Sequence, residues 1–299
     1  MSKRENIEQS SLLSLFKNLG QTDKIFSIEL CPNRHLDIEA LNKLSPAFCS
    51  VIWQNEPDTV LQEISELPSI TLTKQLISNG YQVVFHLAGR YLSKVQAKNI
   101  LDELQKLNVR NILALKGERT PKLEDKSDFP HASDFIEFIK SNYNDYFCIG
   151  VAAYIDAHPD SIRKEDEFKY LKMKVDLGAD FIITQMIFDL ESFLEFSTKC
   201  KKFDINILVL PGIYIIDSYE DLMKMTKFCR VKIPHNVIKS LHNNKDNPED
   251  VHRFGIHHCS GLIRKIFDQT NLCINCVHFF SLNNVKLVQE VCKALNLYD

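Results

Sequence analysis

Glycine is scarce in this chain, and its scarcity excludes two common kinds of nucleotide site. Only 9 of the 299 residues are glycine, whereas about 7% is usual in proteins. Neither the G-x-G-x-x-G fingerprint of dinucleotide-binding folds nor a P-loop can be assembled from them. Any nucleotide-like cofactor must therefore be held outside a Rossmann or Walker frame.

The chain also lacks long apolar runs and a strong net charge of either sign. No run of about 18 apolar residues is present, and the polar N-terminus contains no apolar segment of a signal peptide. The net charge of −3 gives no electrostatic basis for binding nucleic acid or an anionic membrane. We therefore expect a cytoplasmic protein with no nucleic-acid and no membrane partner.

Cysteine is present but does not form a recognisable framework. The nine cysteines are an odd number, and they are scattered through predicted strands and helices. This distribution is typical of reduced thiols in a cytosolic core. Cys273 and Cys276 form a lone C-x-x-C with no second pair at zinc spacing, so we expect no metal site.

What the chain does contain is a regular alternation of strand-like and helix-period segments. Strands are predicted at 24–30, 49–54, 82–87, 111–117, 148–154, 181–185, 205–213 and 275–282. Helices are predicted at 37–45, 58–79, 93–108, 132–142, 161–177, 190–203, 218–229 and 249–269. An extra N-terminal helix is predicted at 6–19, with Gly20 as its cap, and a closing helix at 283–296. Ser93, Asp189 and Ser218 are predicted N-caps. The runs Ile112–Leu115, Phe181–Thr184 and Ile207–Leu210 are apolar throughout, which indicates strands buried on both faces.

Eight strands alternating with helices is the pattern of an α/β protein of the (β/α)₈ TIM-barrel class. An open doubly wound sheet shows the same alternation, but the missing phosphate fingerprint favours the barrel. We expect an N-terminal helix and arm at 1–23 and a single barrel domain at 24–299. A short helix and loop at 234–248 is predicted as an insertion before the eighth helix.

One acidic residue stands in an otherwise apolar strand. Glu29 ends the first predicted strand, where an ionised carboxylate costs several kcal/mol unless it has a partner. Two interpretations remain open from this stretch alone. Glu29 is either tied into a structural ion pair, or its pKa is raised so that it donates a proton near neutral pH.

Polar and aromatic residues follow the predicted strands at their C-terminal ends, which is where barrel enzymes carry their sites. No tetrahedral zinc set and no Ser-His-Asp set can be formed from them. The sequence therefore predicts a polar, aromatic-lined mouth suited to a planar ligand. The residues are Glu29, Trp53, His86, Lys116, Gly117, Glu118, Tyr154, His158, Gln185, Tyr214 and Phe280.

With its strands in this order, the chain resembles the methylenetetrahydrofolate reductase family. The resemblance rests on segments that run from the first strand to the last. They are Phe26–Glu29, Asn111–Gly117, Val151–Tyr154 with His158–Pro159, Gly178–Gln185, Pro211–Ile213 and His278–Asn283. It covers a catalytic barrel only, and it implies no C-terminal regulatory domain before the chain ends at Asp299.

The resemblance implies FAD at the C-terminal face of the barrel and a ping-pong reaction. NAD(P)H reduces the flavin, and methylenetetrahydrofolate then takes the hydride and leaves as methyltetrahydrofolate. Glu29 matches the acid that protonates the folate amine, and Glu118 the acid that stabilises the resulting iminium. The matched flavin contacts are Ile52, Trp53, His86, Lys116, Gly117, Glu118, His131, Ala132, Tyr154, His158, Glu167 and Lys174. The matched substrate contacts are Gln185, Tyr219, Phe280 and Asn284.

Several positions depart from the family pattern. Lys116–Gly117–Glu118 stands where the family has Arg-Gly-Asp, and Asn284 stands where it has an arginine. Hydroxyl groups are lost at Ile52, Ala88 and Phe280, and Tyr170 and Met173 replace polar residues that face the FAD in bacterial members. Since each lost hydrogen bond is worth about 0.5–1.5 kcal/mol, the alternative is a weakened or inactive barrel that acts as a binding or scaffold protein. The choice between NADH and NADPH stays open, as does a homo-oligomer.

Overall fold

The computed structural model describes residues 8–20, 22–53, 63–118, 127–155 and 164–297. Eight parallel strands pair in sequence order, and β8 returns to β1. They are β1 Ile25–Leu30, β2 Cys49–Val51, β3 Val83–Ala88, β4 Asn111–Leu115, β5 Cys148–Ala153, β6 Phe181–Ile187, β7 Leu208–Tyr214 and β8 Cys276–Phe280. The sheet is therefore a closed barrel, which confirms the (β/α)₈ prediction over the open sheet.

The described helices lie between and around these strands. They are α1 Leu12–Lys17, α2 Ile38–Leu44, α3 Pro68–Ser78, α4 Lys94–Lys106, α5 Ala132–Tyr143, α6 Lys164–Asp176, α7 Leu190–Lys202, α8 Tyr219–Cys229, α9 His235–Asn244, α10 Pro248–Phe267 and α11 Val285–Ala294. The N-caps read from the sequence are confirmed at Ser93, Asp189 and Ser218, each of which accepts a backbone N–H with its side chain. None of the helices in the described ranges is long and apolar enough to cross a membrane.

Two predicted helices have different limits. The N-terminal helix begins only after Ser11, its N-cap, and it ends at Asn18 rather than at Gly20. The helix predicted at 58–79 is, in its described part, a 3₁₀ turn at Ile64–Glu66 followed by α3. Pro68 is the first residue of α3, where a missing N–H costs nothing because that group has no partner inside the helix.

The N-terminal end of the barrel is closed by α1. Leu12 is buried and packs with the inward-facing residues of the strands, together with the partly buried Leu13 and Phe16. The Leu12 backbone N–H donates to Asn111 Oδ1 at 2.7 Å, and Asn111 Nδ2 donates to the Ser10 carbonyl at 2.9 Å. The N-terminal arm therefore closes this end of the barrel and is hydrogen-bonded to Asn111, the first residue of β4.

Aromatic side chains fill the middle of the barrel. The Phe181 ring lies against Gly150, where an added Cβ would come within 2.2 Å of it. The Phe280 ring lies in the same way against Gly212, at 2.5 Å from an added Cβ. Neither glycine has space for a side chain, so the two aromatic rings depend on the two glycines.

The segment between β7 and α10 does not simply return along the barrel wall. Side chains of α8 and α9, among them Leu222, Val237 and Leu241, form a cluster with Tyr214 and with Met186 of β6. This places the pair of helices over the C-terminal ends of β6 and β7, and we call the pair α8–α9 the cap. The insertion predicted at 234–248 is therefore confirmed as α9, and α8 belongs to the same unit.

The loop that leads from β7 into the cap is fixed to the outer helices at two points. An added Cβ on Gly255 of α10 would lie 1.7 Å from the Ile216 carbonyl, so helix and loop are in direct contact. His252 of α10 bonds Asp217 at 2.5 Å through Nδ1 and Glu290 of α11 at 2.8 Å through Nε2. These contacts tie the loop after β7 to two helices of the outer layer.

Candidate functional site

Glu29 lies inside the barrel near its C-terminal end. Glu29 is two residues after Ser27 in β1, so both side chains point into the barrel. Only 8% of Glu29 is exposed. Its nearest basic group is His86, whose Nδ1 lies 3.8 Å from Glu29 Oε2. Burial raises the pKa of Glu29 to about 8 and lowers the pKa of His86 to about 3. Both groups are therefore neutral at pH 7, and Glu29 is a protonated acid rather than half of an ion pair.

A second histidine lies in the wall beside this pair. His278 Nδ1 is hydrogen-bonded to Ser27 Oγ at 2.8 Å, and its Nε2 to Ser50 Oγ at 3.2 Å. Its ring is stacked on Phe48 at 5.9 Å. Burial, with a smaller contribution from His86, lowers the pKa of His278 to about 3. The ring is thus a neutral, fixed part of the barrel wall.

The register of the strands explains why these groups meet. Ser27 pairs with His278, and Glu29 pairs with Ser50, so polar residues of β1, β2 and β8 are neighbours at two successive levels of the barrel. Sequence reasoning selected His86 but missed His278 and both serines. The available signal was their common inward parity in adjacent strands.

Donor atoms of Glu29, His86 and His278 lie within 4.8 Å of one another. Three such donors are able to bind a divalent cation. Both nitrogens of His278, however, are already engaged by serine hydroxyls. The absence of a metal therefore stays a prediction from the sequence.

Tyr154 and Gln185 form a polar pair at the same end of the barrel. The Gln185 side chain is hydrogen-bonded to the Tyr154 hydroxyl, and Gln185 Oε1 accepts the Met186 N–H at 3.0 Å. The pairing of β6 with β7 shifts register between Ile183 and Met186. Such bulges re-aim side chains near functional sites, and this one lies at Thr184–Gln185.

Charged groups surround this pair. Burial raises the pKa of Tyr154, the hydrogen bond to Gln185 opposes the rise, and the charges of Glu118 and Arg230 act with opposite signs. Burial also raises the pKa of Cys229 to about 11, with further contributions from Glu29 and Glu118. The end of α8 is therefore close to the mouth. Cys229 and Arg230 were missed from the sequence, since nothing in the helical pattern of α8 shows which way it crosses the barrel.

The mouth offers contacts suited to a polar planar cofactor with an anionic linker. His86 Nε2 is buried and has no hydrogen-bond partner among the described residues. On α6, burial lowers the pKa of Lys174, and the charge of Glu167 opposes that effect. Tyr170 and Met173, on the turn before Lys174, are 57% and 42% exposed. An unpaired buried imidazole nitrogen and a partly desolvated cation fit a bound flavin nucleotide.

Other predicted flavin contacts have structural surroundings of their own. Ile52 accepts the Ser69 hydroxyl through its carbonyl, and Trp53 is buried with its ring 5.9 Å from Phe85. Gly117 has φ +95° and packs against Ala88, where an added Cβ would come within 2.8 Å of the Ala88 Cβ. Lys116 and Glu118 flank it on the exposed surface.

The remaining predicted residues lie on helix ends and on β8. His131 precedes Ala132 at the start of α5, and its N–H donates to Asp134 at 2.8 Å. The Tyr219 ring, on the cap, lies 6.1 Å from His242. Asn284 is the N-cap of α11. Within the described residues no recorded contact joins these three to the Glu29 group, whereas Phe280 touches His278 edge-on at 5.4 Å. His158 falls outside the described residues.

These features define the class: a (β/α)₈ barrel with a buried protonated acid and a polar mouth at the C-terminal ends of its strands. The chain belongs to the methylenetetrahydrofolate reductase family, whose profile matches residues 24–296. The family-level resemblance drawn from the sequence is therefore confirmed.

Several relatives carry the same family name. Methylenetetrahydrofolate reductase (NADH) 1 of Arabidopsis thaliana is 31% identical, over 94% of this chain and 49% of its own length. Methylenetetrahydrofolate reductase 1 of Schizosaccharomyces pombe is 35% identical, over 85% of this chain and 41% of its own length. A probable NADPH enzyme of Caenorhabditis elegans is 28% identical, over 94% of this chain and 43% of its own length. The chain spans less than half the length of these relatives.

A solved structure supports the fold at low sequence identity. An uncharacterized protein from Clostridium thermocellum, which binds two copies of 5-methyl-5,6,7,8-tetrahydrofolic acid, has a TM-score of 0.62 with 13% identity, covering 93% of this chain and 96% of its own. A match at this level of sequence identity shows that the two proteins share a fold and shows nothing about a shared function.

Proposed function

We propose that this barrel reduces 5,10-methylenetetrahydrofolate to 5-methyltetrahydrofolate with NAD(P)H as reductant, through FAD in a ping-pong sequence. In the balanced reaction the methylene carbon gains a hydride, an amine nitrogen gains a proton, and NAD(P)H becomes NAD(P)⁺. The observation that carries the proposal is Glu29, a buried acid with its pKa raised to about 8, in a barrel of this family.

Glu29 supplies the proton. A carboxyl that is still protonated at neutral pH transfers its proton to the folate amine, the five-membered ring opens, and the methylene carbon becomes an iminium. The neutral His86 and His278 support this role, because an imidazolium within 4.8 Å would hold the pKa of Glu29 down. Glu118 adds a negative charge near the mouth that stabilises the cationic iminium.

When bound, FAD supplies the storage and transfer of the hydride. His86 Nε2, which is buried and has no described partner, would hydrogen-bond a polar atom of the flavin ring. Lys174 would pair with a phosphate of the cofactor, whereas Tyr170 and Met173 stand where the family pattern has polar residues facing the nucleotide. The other proposed contacts are Ile52, Trp53, Lys116, Gly117, His131, Ala132, Tyr154, His158 and Glu167.

The folate ring is held at the Tyr154–Gln185 pair. An amide side chain offers both a donor and an acceptor, which matches the edge of a pterin. Phe280 supplies apolar surface beside His278, and Tyr219 and Asn284 complete the proposed substrate contacts. The proposal covers NADH or NADPH as the reductant and a cytoplasmic location, and the free cysteines are in keeping with a reducing compartment.

A second function, a binding or scaffold protein without turnover, is favoured by particular observations. Ile52 and Ala88 have no hydroxyl to offer a flavin. Asn284 Oδ1 accepts the Leu287 N–H at 3.2 Å as a helix cap. The loss of a few such contacts would weaken ligands by orders of magnitude, since 1.4 kcal/mol is tenfold in affinity.

Anaerobic half-reactions distinguish the two functions. The reductase should be purified as a yellow protein, its colour should be bleached by NADH or NADPH, and methylenetetrahydrofolate should restore the colour. A protein that stays colourless and inert after addition of FAD would contradict the enzyme and favour the binding function.

A further inference from the structure

The chain makes a strained turn directly after β8, beside the end of β1. Leu282 and Asn283 have φ values of +49° and +67°, so two successive residues lie in the left-handed region. Asparagine tolerates this conformation, whereas the Cβ of a leucine is crowded in it. Backbone strain of this kind persists only where the surrounding contacts impose it, and it is concentrated at functional sites.

The carboxamide of Asn283 pairs with the backbone of the loop that follows β1. Its Oδ1 accepts the Cys31 N–H at 2.7 Å. Its Nδ2 donates to the Cys31 carbonyl at 2.9 Å and to the Arg34 carbonyl at 3.1 Å. A carboxamide has the donor and the acceptor of a peptide group, so this side chain takes the place of a neighbouring strand for Cys31.

Ser281 extends the same connection to Glu29 itself. The register between β1 and β8 ends with the pair Glu29 and Phe280. Beyond it, Ser281 Oγ donates to the Glu29 carbonyl at 2.6 Å and accepts the Asn283 N–H at 3.1 Å. Two side chains therefore continue the contact between β1 and β8 past the last paired residues.

The left-handed turn explains how one short segment serves two neighbours. The Leu282 side chain packs with the cluster that the cap forms with Tyr214 and Met186. The next side chain, Asn283, lies on the loop after β1. A change of Asn283 alone should therefore alter the contact with β1 and leave the packing under the cap in place.

The end of β1 is also held from its other side. The Leu30 carbonyl accepts the Ile52 N–H at 3.1 Å, at the end of β2. The backbone on either side of the Glu29 side chain is thus fixed by β2 and by the turn after β8. The carboxyl lies 3.8 Å from His86, and its depth in the barrel depends on this short piece of backbone.

We propose that Asn283, supported by Ser281, is a positioning residue for Glu29, which it holds through the backbone so that the carboxyl stays buried beside His86. This inference rests on the proposed function, in which Glu29 is the proton donor, and deepens it. A displacement of about 1 Å at a reacting group can slow a reaction roughly 100-fold. The contacts of Asn283 are therefore able to control the rate without touching a ligand.

Substitution by glycine tests the carboxamide alone, because glycine adopts the left-handed conformation without strain. In single turnover, Asn283→Gly should slow the folate half-reaction roughly 10- to 100-fold. The dependence of that rate on folate concentration should stay nearly the same, and so should flavin reduction by NAD(P)H. Ser281→Ala, which removes one bond to the Glu29 carbonyl, should slow the same half-reaction by a smaller factor.

Asn108→Gly is the matched control. Asn108 is an exposed asparagine with φ +60° in the loop between α4 and β4, at the opposite end of the barrel. The substitution removes a carboxamide from a left-handed residue in the same way. Both half-reaction rates should be unchanged in this variant.

A second readout follows the carboxyl directly and needs no folate. The infrared band of the protonated Glu29 carboxyl, assigned by its loss in Glu29→Gln, should disappear at about pH 8 in the unmodified protein, because burial raises the pKa of Glu29 to about 8. In Asn283→Gly the carboxyl becomes better hydrated, so its pKa falls and the band should disappear at lower pH.

The titratable groups recorded beside Glu29 within the described residues do not obscure this shift. They are His86, His278, Cys31 and Cys229. The pKa of each imidazole is lowered to about 3, and that of each thiol is raised to about 11. None of these groups changes charge between about pH 5 and pH 9, so a shift in this window belongs to Glu29.

The other outcomes would overturn the proposal. Equal slowing of both half-reactions by Asn283→Gly would show a general structural role. A weaker dependence on folate concentration with an unchanged maximal rate would place Asn283 in the ligand site. A carboxyl band that titrates at the same pH with and without the carboxamide would show that Asn283 does not position the acid.

Failure of the proposed function can be told apart from failure of this inference. If methylenetetrahydrofolate does not reoxidise the flavin of the unmodified protein, the proposed function fails. The infrared titration then still decides whether Asn283 holds the carboxyl, since it requires no turnover. A shifted band in Asn283→Gly supports the positioning role in that case, and an unshifted band contradicts it.

Discussion

The two ends of the barrel use polar side chains in opposite ways. At the N-terminal end, Asn111 bonds the backbone on both sides of the entry to α1, and Leu12 closes the interior. At the C-terminal end, Glu29 and His86 are buried 3.8 Å apart as two neutral groups, and His86 Nε2 has no described partner. At the N-terminal end the polar groups of Asn111 are hydrogen-bonded and the interior is closed. At the C-terminal end a buried imidazole nitrogen has no hydrogen-bond partner among the described residues.

The difference shows which buried polar groups serve the fold and which serve a ligand. A buried polar group without a partner costs about 1–3 kcal/mol, so its persistence needs a reason outside the folded chain. The groups at the closed end have partners and need no such reason. At the open end His86 Nε2 has no partner among the described residues, and under the proposed function it acquires one when a ligand binds.

The largest expected effect comes from removing the acidic proton at the C-terminal end of the barrel. Glu29→Gln keeps the shape but removes the proton, so the folate half-reaction should slow by about 10²–10⁴-fold. Reduction of the flavin by NAD(P)H should stay nearly intact. Single-turnover absorbance measurements of each half-reaction check this, with Glu137→Gln, an exposed carboxyl on α5, as control. An equal loss in both half-reactions would make Glu29 a structural residue.

The next largest effect comes from removing the Leu12 side chain, which closes the N-terminal end of the barrel. Leu12→Ala leaves a cavity under the barrel and should lower the free energy of unfolding by about 2–5 kcal/mol. Both half-reaction rates should be retained below the melting transition. Leu13→Ala, at a partly buried position of the same helix, should cost clearly less in denaturant titrations. A selective loss of the folate half-reaction in Leu12→Ala would show that the two ends are coupled.

A smaller effect concerns stability at the open end. The pKa of Glu29 is about 8 in the fold and 4.5 in the unfolded reference, so the folded state loses stability as pH rises from about 4.5 to 8. Glu29→Gln removes this loss and should stabilise the protein by up to about 4 kcal/mol at pH 8, since each pKa unit corresponds to about 1.4 kcal/mol. The gain should disappear near pH 4.5. Denaturant midpoints at both pH values measure it, and a variant that is less stable at pH 8 would contradict the assignment.

Much of the fold is predictable from the sequence, because local signals and long-range order agree. The continuous apolar runs of β4, β6 and β7 indicate a sheet covered on both faces, and the caps at Ser93, Asp189 and Ser218 fix helix starts. The acid in β1 is visible because it breaks an apolar pattern. Each of these strands, helix starts and the buried acid is encoded by residues that are close together in the sequence.

What could not be predicted depends on packing between distant segments. The helical period of α8 is the same whether the helix runs along the wall or over the mouth, so Arg230 could not be placed. The bulge at Thr184–Gln185 depends on how β6 pairs with β7. His278 became visible only when the register set it beside Ser27 and Ser50.

The most direct measurement of the central claim is the pH dependence of the folate half-reaction in single turnover, with flavin reduction by NAD(P)H as the reference. A protonated Glu29 with its pKa raised by burial predicts a rate that is constant at lower pH and falls as pH rises through about 8. The reference reaction should not fall there. A folate half-reaction that is flat from pH 6 to pH 9, or one that falls already near pH 4.5, would contradict a buried proton donor at the open end.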